Sequence, residues 1–178
     1  DIRTTNPVAV GDRVEVDVNR EENTGVIRDF MKRDNYIIRK STKLSKASHI
    51  IAANIDKAFL IATLVLPRTS PGFTARFLVT AEAYHIPAGI VFNKTDLYDE
   101  ELRLRHQELV RLYSSLGYQC FGTSAVTGEG LGLLSDALKD KTTLFSGHSG
   151  VGKSAIINVL EPALKLRTAE ISSWHLKG

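Results

Sequence analysis

An α/β fold, with a doubly wound and mostly parallel sheet preceded by a small β module, is predicted by three observations. Residues 58–66 form one continuous apolar run, as a parallel strand covered on both faces does. From there to residue 160, strand-like runs alternate with amphipathic helical patterns, the signature of repeated β-α units. A glycine-rich loop at residues 147–152 then stands between a short apolar run and a helical one, at the point where such a sheet presents its ligand edge.

Each element has its own signal. Residues 8–18 alternate around Gly11 and Asp12, and residues 24–30 and 36–39 are β-rich between polar turns, so residues 1–45 read as the β module. Strand character fades over residues 41–53, and a second domain is expected over residues 53–178. Its strand at 58–66 turns at 67–72 into a helix over 73–85, and a second strand follows at 88–92. Residues 100–116 suit a helix, with Leu102, Leu109, Leu112 and Leu116 near helical spacing and Gly117 ending it. Strand 118–121, helix 131–138, strand 143–145 and helix 153–160 complete the series.

Composition excludes several classes. With 43% hydrophobic and 24% charged residues the chain is ordinary for a globular protein, and no apolar run approaches the ~20 residues of a membrane-spanning helix. A soluble chain without membrane contact is expected. Cys120 is the single cysteine, which rules out an internal disulfide, and the opening residues lack a secretory pattern, so a reducing cytoplasm is expected. The net charge of +3 is too small by itself to indicate a nucleic-acid binder. Its distribution is uneven: residues 28–46 carry Arg28, Lys32, Arg33, Arg39, Lys40, Lys43 and Lys46 against only Asp29 and Asp34. Phe30 and Tyr36 lie among them, adding stacking surfaces to an anion-attracting stretch.

The strongest chemical signal is Gly147, His148, Ser149, Gly150, Val151, Gly152, Lys153 and Ser154, which match G-x-x-x-x-G-K-[ST] between a strand and a helix. Glycines let the backbone curl until several N–H groups point into one concavity, and the helix that follows adds its positive end; both favour phosphates. Lys153 would reach the terminal phosphates, and the Ser154 hydroxyl would ligate Mg²⁺. This loop reads a triphosphate but not its base. Asn93, Lys94, Thr95 and Asp96 supply that reading from the end of strand 88–92. The Asp96 carboxylate can accept from the N1–H and 2-amino groups of guanine, donors that adenine lacks. Asn93 can brace the loop or contact the base, and the Lys94 stem can lie over the base plane. Ser124 and Ala125, within the Ser/Gly-rich stretch 123–130, follow the next strand, where a backbone N–H could meet the guanine oxygen. The chain is therefore expected to bind GTP and GDP with Mg²⁺. His148 is expected in a packing or solvated role, and His49, His85 and His106 at the surface or in structural roles.

In ordinary GTPases the phosphate loop precedes the base reader, whereas here Asn93–Asp96 comes first, then Ser124 and Ala125, then Gly147–Ser154. That is a circularly permuted P-loop GTPase order. With the preceding β module, and with residues 6–14, 36–39, 52–56 and 169–171, the chain resembles the ribosome small-subunit-dependent GTPase A family over nearly its whole length. The resemblance implies an amino-terminal OB-fold touching ribosomal RNA, a permuted GTPase core and a carboxyl-terminal zinc module. It also implies a role in late maturation of the small ribosomal subunit, with GTP hydrolysis stimulated by that subunit. On that basis Arg28, Lys32, Arg33, Arg39 and Lys40 become RNA-contact candidates. A monomer is expected.

The family's D-x-x-G element lies downstream of the phosphate loop, and no Asp here has Gly three residues on. Catalytic switch residues are thus expected beyond Gly178. A single Cys and five His do not make the family's zinc site, so Zn²⁺ is expected only in the longer protein. Residues 1–40 supply about three of the five strands of an OB-fold, so the β module is expected to be partial. A nucleotide-dependent RNA-binding module without catalysis is the alternative reading. A P-loop ATPase or small-molecule kinase is disfavoured by Asn93–Asp96.

Overall fold

A computed structural model of the chain describes residues 8–40 and 48–168. The chain divides into two units after Asp56.

The first unit is built of two antiparallel hairpins. Strand β1 (Val14–Asn19) pairs with β2 (Thr24–Phe30), with an irregular register between Glu15 and Val16. Strand β3 (Tyr36–Lys40) pairs with β4 (Ser48–Ala53), and Val10 makes an isolated parallel bridge to Ala52. Strand β4 corrects the expectation that strand character fades, as far as it concerns 48–53: Ile50 and Ala53 are buried, and their backbone pairs with β3, while residues 41–47 lie outside the described residues.

Side chains tie the connecting segments of this unit together. Asp12, whose side chain is fully buried, accepts from Nε and a terminal nitrogen of Arg33 at 2.6 and 2.7 Å, and also from the Ala9 N–H at 2.8 Å. Asn54 donates to the Gly11 carbonyl and accepts from the Asp34 N–H, each at 2.9 Å. Asn35 donates to the Ile55 carbonyl at 2.9 Å and accepts the Ile55 N–H at 2.8 Å. Backbone groups of three separate segments are thereby paired, which buried polar groups require.

The second unit is a four-stranded parallel sheet of order β7-β6-β5-β8. Its strands are β5 (Lys57–Ala62), β6 (Ala88–Asn93), β7 (Gln119–Thr123) and β8 (Thr143–Ser146). Helices α1 (Pro71–Ala83), α2 (Glu100–Ser115), α3 (Leu131–Leu138) and α4 (Lys153–Leu160) connect or follow them. Successive side chains of a strand face opposite ways, and β5 has apolar groups on both. Phe59 and Ile61 pack with Val91, Leu131, Leu134 and Ile156 beneath α3 and α4. Leu60 and Ala62 pack with Ile90, Phe92 and Leu78, joined by Leu109 and Tyr113, beneath α1 and α2. Two helices thus cover each face of the sheet, and the sheet is doubly wound, as expected.

Strand β5 stops at Ala62, short of the expected 66, because the chain folds back on itself there. The Thr63 N–H donates to Thr69 Oγ1 at 3.0 Å, and the Thr63 hydroxyl donates to the Pro67 carbonyl, closing a turn that contains a cis Leu66–Pro67 bond. Helix α1 begins two residues earlier than the sequence suggests. Ser70 caps it, accepting the Phe73 N–H at 3.2 Å, and Pro71 fits the first turn, where no donor is needed. Asp99 caps α2 in the same way, accepting from the Leu102 N–H at 2.9 Å. Among the described residues no helix is long and apolar enough to cross a membrane.

Candidate functional site

Because all four strands run parallel, their carboxyl ends, at Ala62, Asn93, Thr123 and Ser146, fall on one edge of the sheet. The three loops singled out from the sequence leave this edge from β6, β7 and β8.

Asn93 is the point where the loops meet. It is 1% exposed, and each of its polar groups has a partner. Its Nδ2 donates to the Val151 carbonyl of the glycine loop at 2.8 Å. Its Oδ1 accepts from the Thr123 hydroxyl at the end of β7 at 3.2 Å, and its backbone carbonyl accepts from Tyr98 Oη at 3.4 Å. Of the two roles open to Asn93, bracing the loops is the one these bonds fill. Burial pushes the Tyr98 hydroxyl up to about 12, so it remains a donor at any physiological pH.

Lys94 adopts a left-handed backbone (φ 69°), and its ammonium donates to the Leu66 carbonyl of the β5–α1 turn. Burial holds its pKa below the ordinary lysine value. Asp96 is exposed, and its Oδ1 accepts from the Ser124 hydroxyl at 2.5 Å. Ser124 is fully buried; its hydroxyl also accepts from the N–H groups of Val126 and Thr127 at 3.2 and 3.1 Å. Ala125 packs against the core beneath α3 and α4. Thr95 donates to Glu129 Oε2 at 2.9 Å. The Asn93–Asp96 loop and the Ser124–Ala125 loop are therefore joined by several side-chain hydrogen bonds.

The phosphate-loop residues Gly147, His148, Ser149, Gly150, Val151 and Gly152 lead directly into α4, with Lys153 and Ser154 as its first two residues. Gly152 has φ +94°, and a Cβ there would stand 2.3 Å from Asn93 Nδ2, so the Asn93–Val151 contact demands glycine. A Cβ at Gly147 would stand 2.5 Å from the Ile61 carbonyl, which holds the loop close against β5. Lys153 Nζ donates to the Gly147 and His148 carbonyls at 2.8 and 2.7 Å. Those two bonds curl the loop around the ammonium and leave its third donor for an anionic oxygen. Burial lowers the Lys153 pKa, a cost that a bound anion would offset.

The imidazole of His148 stacks on Phe73 of α1, with ring centroids 3.9 Å apart and planes inclined by 33°. Packing is therefore its visible role. His106 is half-buried between Phe92 and Tyr98, at centroid distances of 5.1 and 5.6 Å, and its Nε2 has no hydrogen-bond partner. Neither contact is visible from spacing, since each joins side chains from separate elements. Thr123 could have been read from its place at the end of a strand beside Ser124.

Among the described residues no three His, Cys, Asp or Glu side chains gather as a metal site. A Mg²⁺ ion here would take Ser154 as one ligand and rely on phosphate oxygens for others, and the tightly curled loop with its helix start fits that arrangement.

The RNA-contact candidates separate. Arg33 is largely buried and engaged bidentately by Asp12, so its charge holds the module together rather than standing at its surface. Arg28 is exposed but pairs with Asp17, and Lys32 is exposed. The side chains of Arg39 and Lys40 lie outside the described residues.

Comparison with known proteins decides the family. Residues 30–178 match the family model described as RsgA GTPase. The chain belongs to the RsgA GTPase family. It is 54% identical over 177 residues to the small ribosomal subunit biogenesis GTPase RsgA of Bacteroides fragilis, covering 99% of this chain and 57% of that relative. It is 52% identical to the small ribosomal subunit biogenesis GTPase RsgA 2 of Bacteroides thetaiotaomicron, with the same coverage of both chains. The chain thus spans little more than half the length of these RsgA relatives. Among solved structures it resembles YjeQ from Thermotoga maritima (TM-score 0.76, 40% identity), over 91% of this chain and 54% of that one. It also resembles YloQ, a circularly permuted GTPase (TM-score 0.70, 31% identity), over 89% of this chain and 52% of that one. The fold of the second unit is that of a circularly permuted GTPase.

Proposed function

We propose that this chain is the guanine-nucleotide-binding part of a GTPase that acts in late maturation of the small ribosomal subunit, hydrolysing GTP when that subunit stimulates it. The observation that carries the reading is the Asn93–Val151 hydrogen bond, which locks the base-reading loop to the phosphate loop across the sheet edge. Nucleotide base and phosphates would then meet a single braced surface.

In this reading Asp96 accepts from the N1–H and 2-amino groups of guanine, and its hydrogen bond from Ser124 fixes the carboxylate for both. The Lys94 stem covers the base plane, and the backbone N–H of Ala125 meets the guanine oxygen. The N–H groups of residues 147–152 and the start of α4 hold the α- and β-phosphates, and Lys153 reaches the terminal ones. When bound, Mg²⁺ neutralises phosphate charge, with the Ser154 hydroxyl as its protein ligand. These residues bind and orient. Hydrolysis is carried over from the family.

The names of its relatives support the small subunit as partner. We infer ribosomal RNA contact through the first unit, as part of an OB-fold, with exposed Lys32 and Phe30 as the leading candidates. A monomer in the cytoplasm fits these roles, and a zinc module would belong to the longer protein.

Titration with fluorescent GDP, GTP and ADP in Mg²⁺ tests the reading, with Lys153→Ala as control. Guanine nucleotides should bind and ADP should not. Equal affinity for ADP and GDP would sink it. Phosphate release on adding small subunits to the full-length protein tests hydrolysis; release no faster than without them would remove that part.

A further inference from the structure

Glu129 lies within the stretch 123–130 but has no role in the site described so far, yet it touches the guanine-reading apparatus from two sides. Its side-chain Oε2 accepts from the Thr95 hydroxyl at 2.9 Å, which fixes the residue immediately before Asp96. Its backbone carbonyl accepts from the Ser124 N–H at 3.0 Å, and Ser124 is the residue whose hydroxyl donates to Asp96 Oδ1 at 2.5 Å. The Glu129 N–H donates to Thr127 Oγ1 at 3.4 Å, and Thr127 in turn donates its own N–H to Ser124 Oγ, so the turn that presents the carboxylate is internally braced. The Asp96 carboxylate is thus held by Ser124 and the residue before it by Glu129, which also bonds Ser124 through its backbone.

We propose that Glu129 is a positioning residue for guanine discrimination. It sets the orientation of the Asp96 carboxylate through Thr95 and Ser124, so that both donor groups of guanine can be met at once. The inference rests on Asp96 being the base reader. A carboxylate that must accept two parallel hydrogen bonds tolerates little rotation, whereas one that accepts a single bond tolerates more. The expected signature is therefore not weaker binding alone. It is a smaller preference for guanine over hypoxanthine, which keeps the N1–H but lacks the 2-amino group.

The experiment compares GDP and IDP affinities in the full chain. The parent should prefer GDP, and Glu129→Ala should lower the GDP/IDP ratio about three- to tenfold, the range of one lost hydrogen bond. Glu129→Gln, which can still accept from Thr95, should restore most of the ratio. Thr95→Val should lower it as Glu129→Ala does, and combining the two should add nothing. Equal loss of GDP and IDP affinity in Glu129→Ala, or additive effects in the double variant, would overturn the proposal and leave Glu129 a structural residue. A parent that does not distinguish GDP from IDP would instead overturn the assignment of Asp96.

Discussion

Asn93 and Val151 lie 58 residues apart in the chain, and the Asn93 side chain donates to the Val151 carbonyl at 2.8 Å. This one bond joins the loop proposed to read a base to the loop proposed to hold phosphates, so the distance between the two is fixed before any ligand arrives. Such preorganisation lowers the ordering cost of binding.

Asn93→Ala should therefore act on both stability and binding. It leaves the buried Val151 carbonyl and the Thr123 hydroxyl without their partner, at about 1–3 kcal/mol, and it lets the loops drift apart. Urea unfolding should report the first effect. A GDP titration at temperatures where the variant is folded should report the second, as at least tenfold weaker binding. Parental affinity would show that the loops are held by other contacts.

Asp96→Asn exchanges an acceptor for a donor where the guanine 2-amino group is expected. Preference should move from GDP towards XDP, whose base carries an oxygen at that position. Competition between the two nucleotides measures it, and a variant that keeps the parental order would refute the base assignment.

The first unit should be sensitive to acid. The Arg33 guanidinium hydrogen-bonded to Asp12 holds that carboxyl below its ordinary value of 3.8. A lowered folded-state pKa stabilises above the unfolded value and is lost as pH falls through the folded one. Stability should hold down to about pH 4 and fall below it, and Arg33→Ala should be less stable than the parent at neutral pH with a shallower acid limb. The β-hairpin circular dichroism signal against pH is the measurement.

His106 should show the opposite preference for its charge state. Burial pushes its pKa below the ordinary 6.5, the effect outweighing the Glu129 carboxylate that raises it. The folded state therefore favours the neutral ring, and stability should decline as pH falls through 6.5, where the unfolded chain takes up the proton first. A His106→Gln variant should lose this slope. Denaturant midpoints between pH 5 and 8 would reveal it.

The sheet was legible because β5 is buried on both faces, which leaves no polar residue to interrupt residues 58–62. Helices α3 and α4 were legible to the residue, the second from the loop motif that must precede a helix. Strand β4 is hard to read because Ile50 and Ile51 stand next to one another between Ser48-His49 and Ala52-Ala53, without period-2 alternation, and its strand state shows only in its pairing with β3. The overrun of β5 has the same origin: residues 64–66 are apolar, but hydrogen bonds at Thr63 turn the chain away. At the site, the motif residues could be read, since each loop's chemistry is local. The contacts that hold the loops in relation to one another, Asn93 to Val151, Thr95 to Glu129 and His148 to Phe73, are long-range pairings with no periodicity to betray them.

Among the described residues strand β8 is bonded to β5, and it is the last of the four strands that a ribosome would synthesise. Strands β5, β6 and β7 can pair as soon as they emerge, and with them come Asn93, Asp96 and Ser124. The half of the sheet that carries Asn93–Asp96 can thus take shape while residues 147–154 are still in the exit tunnel, and β8 then docks along β5. In a chain with the ordinary motif order the phosphate loop would emerge first. Here that order is reversed, so a nascent chain builds the sheet edge at Asn93 and Ser124 before Lys153 reaches it.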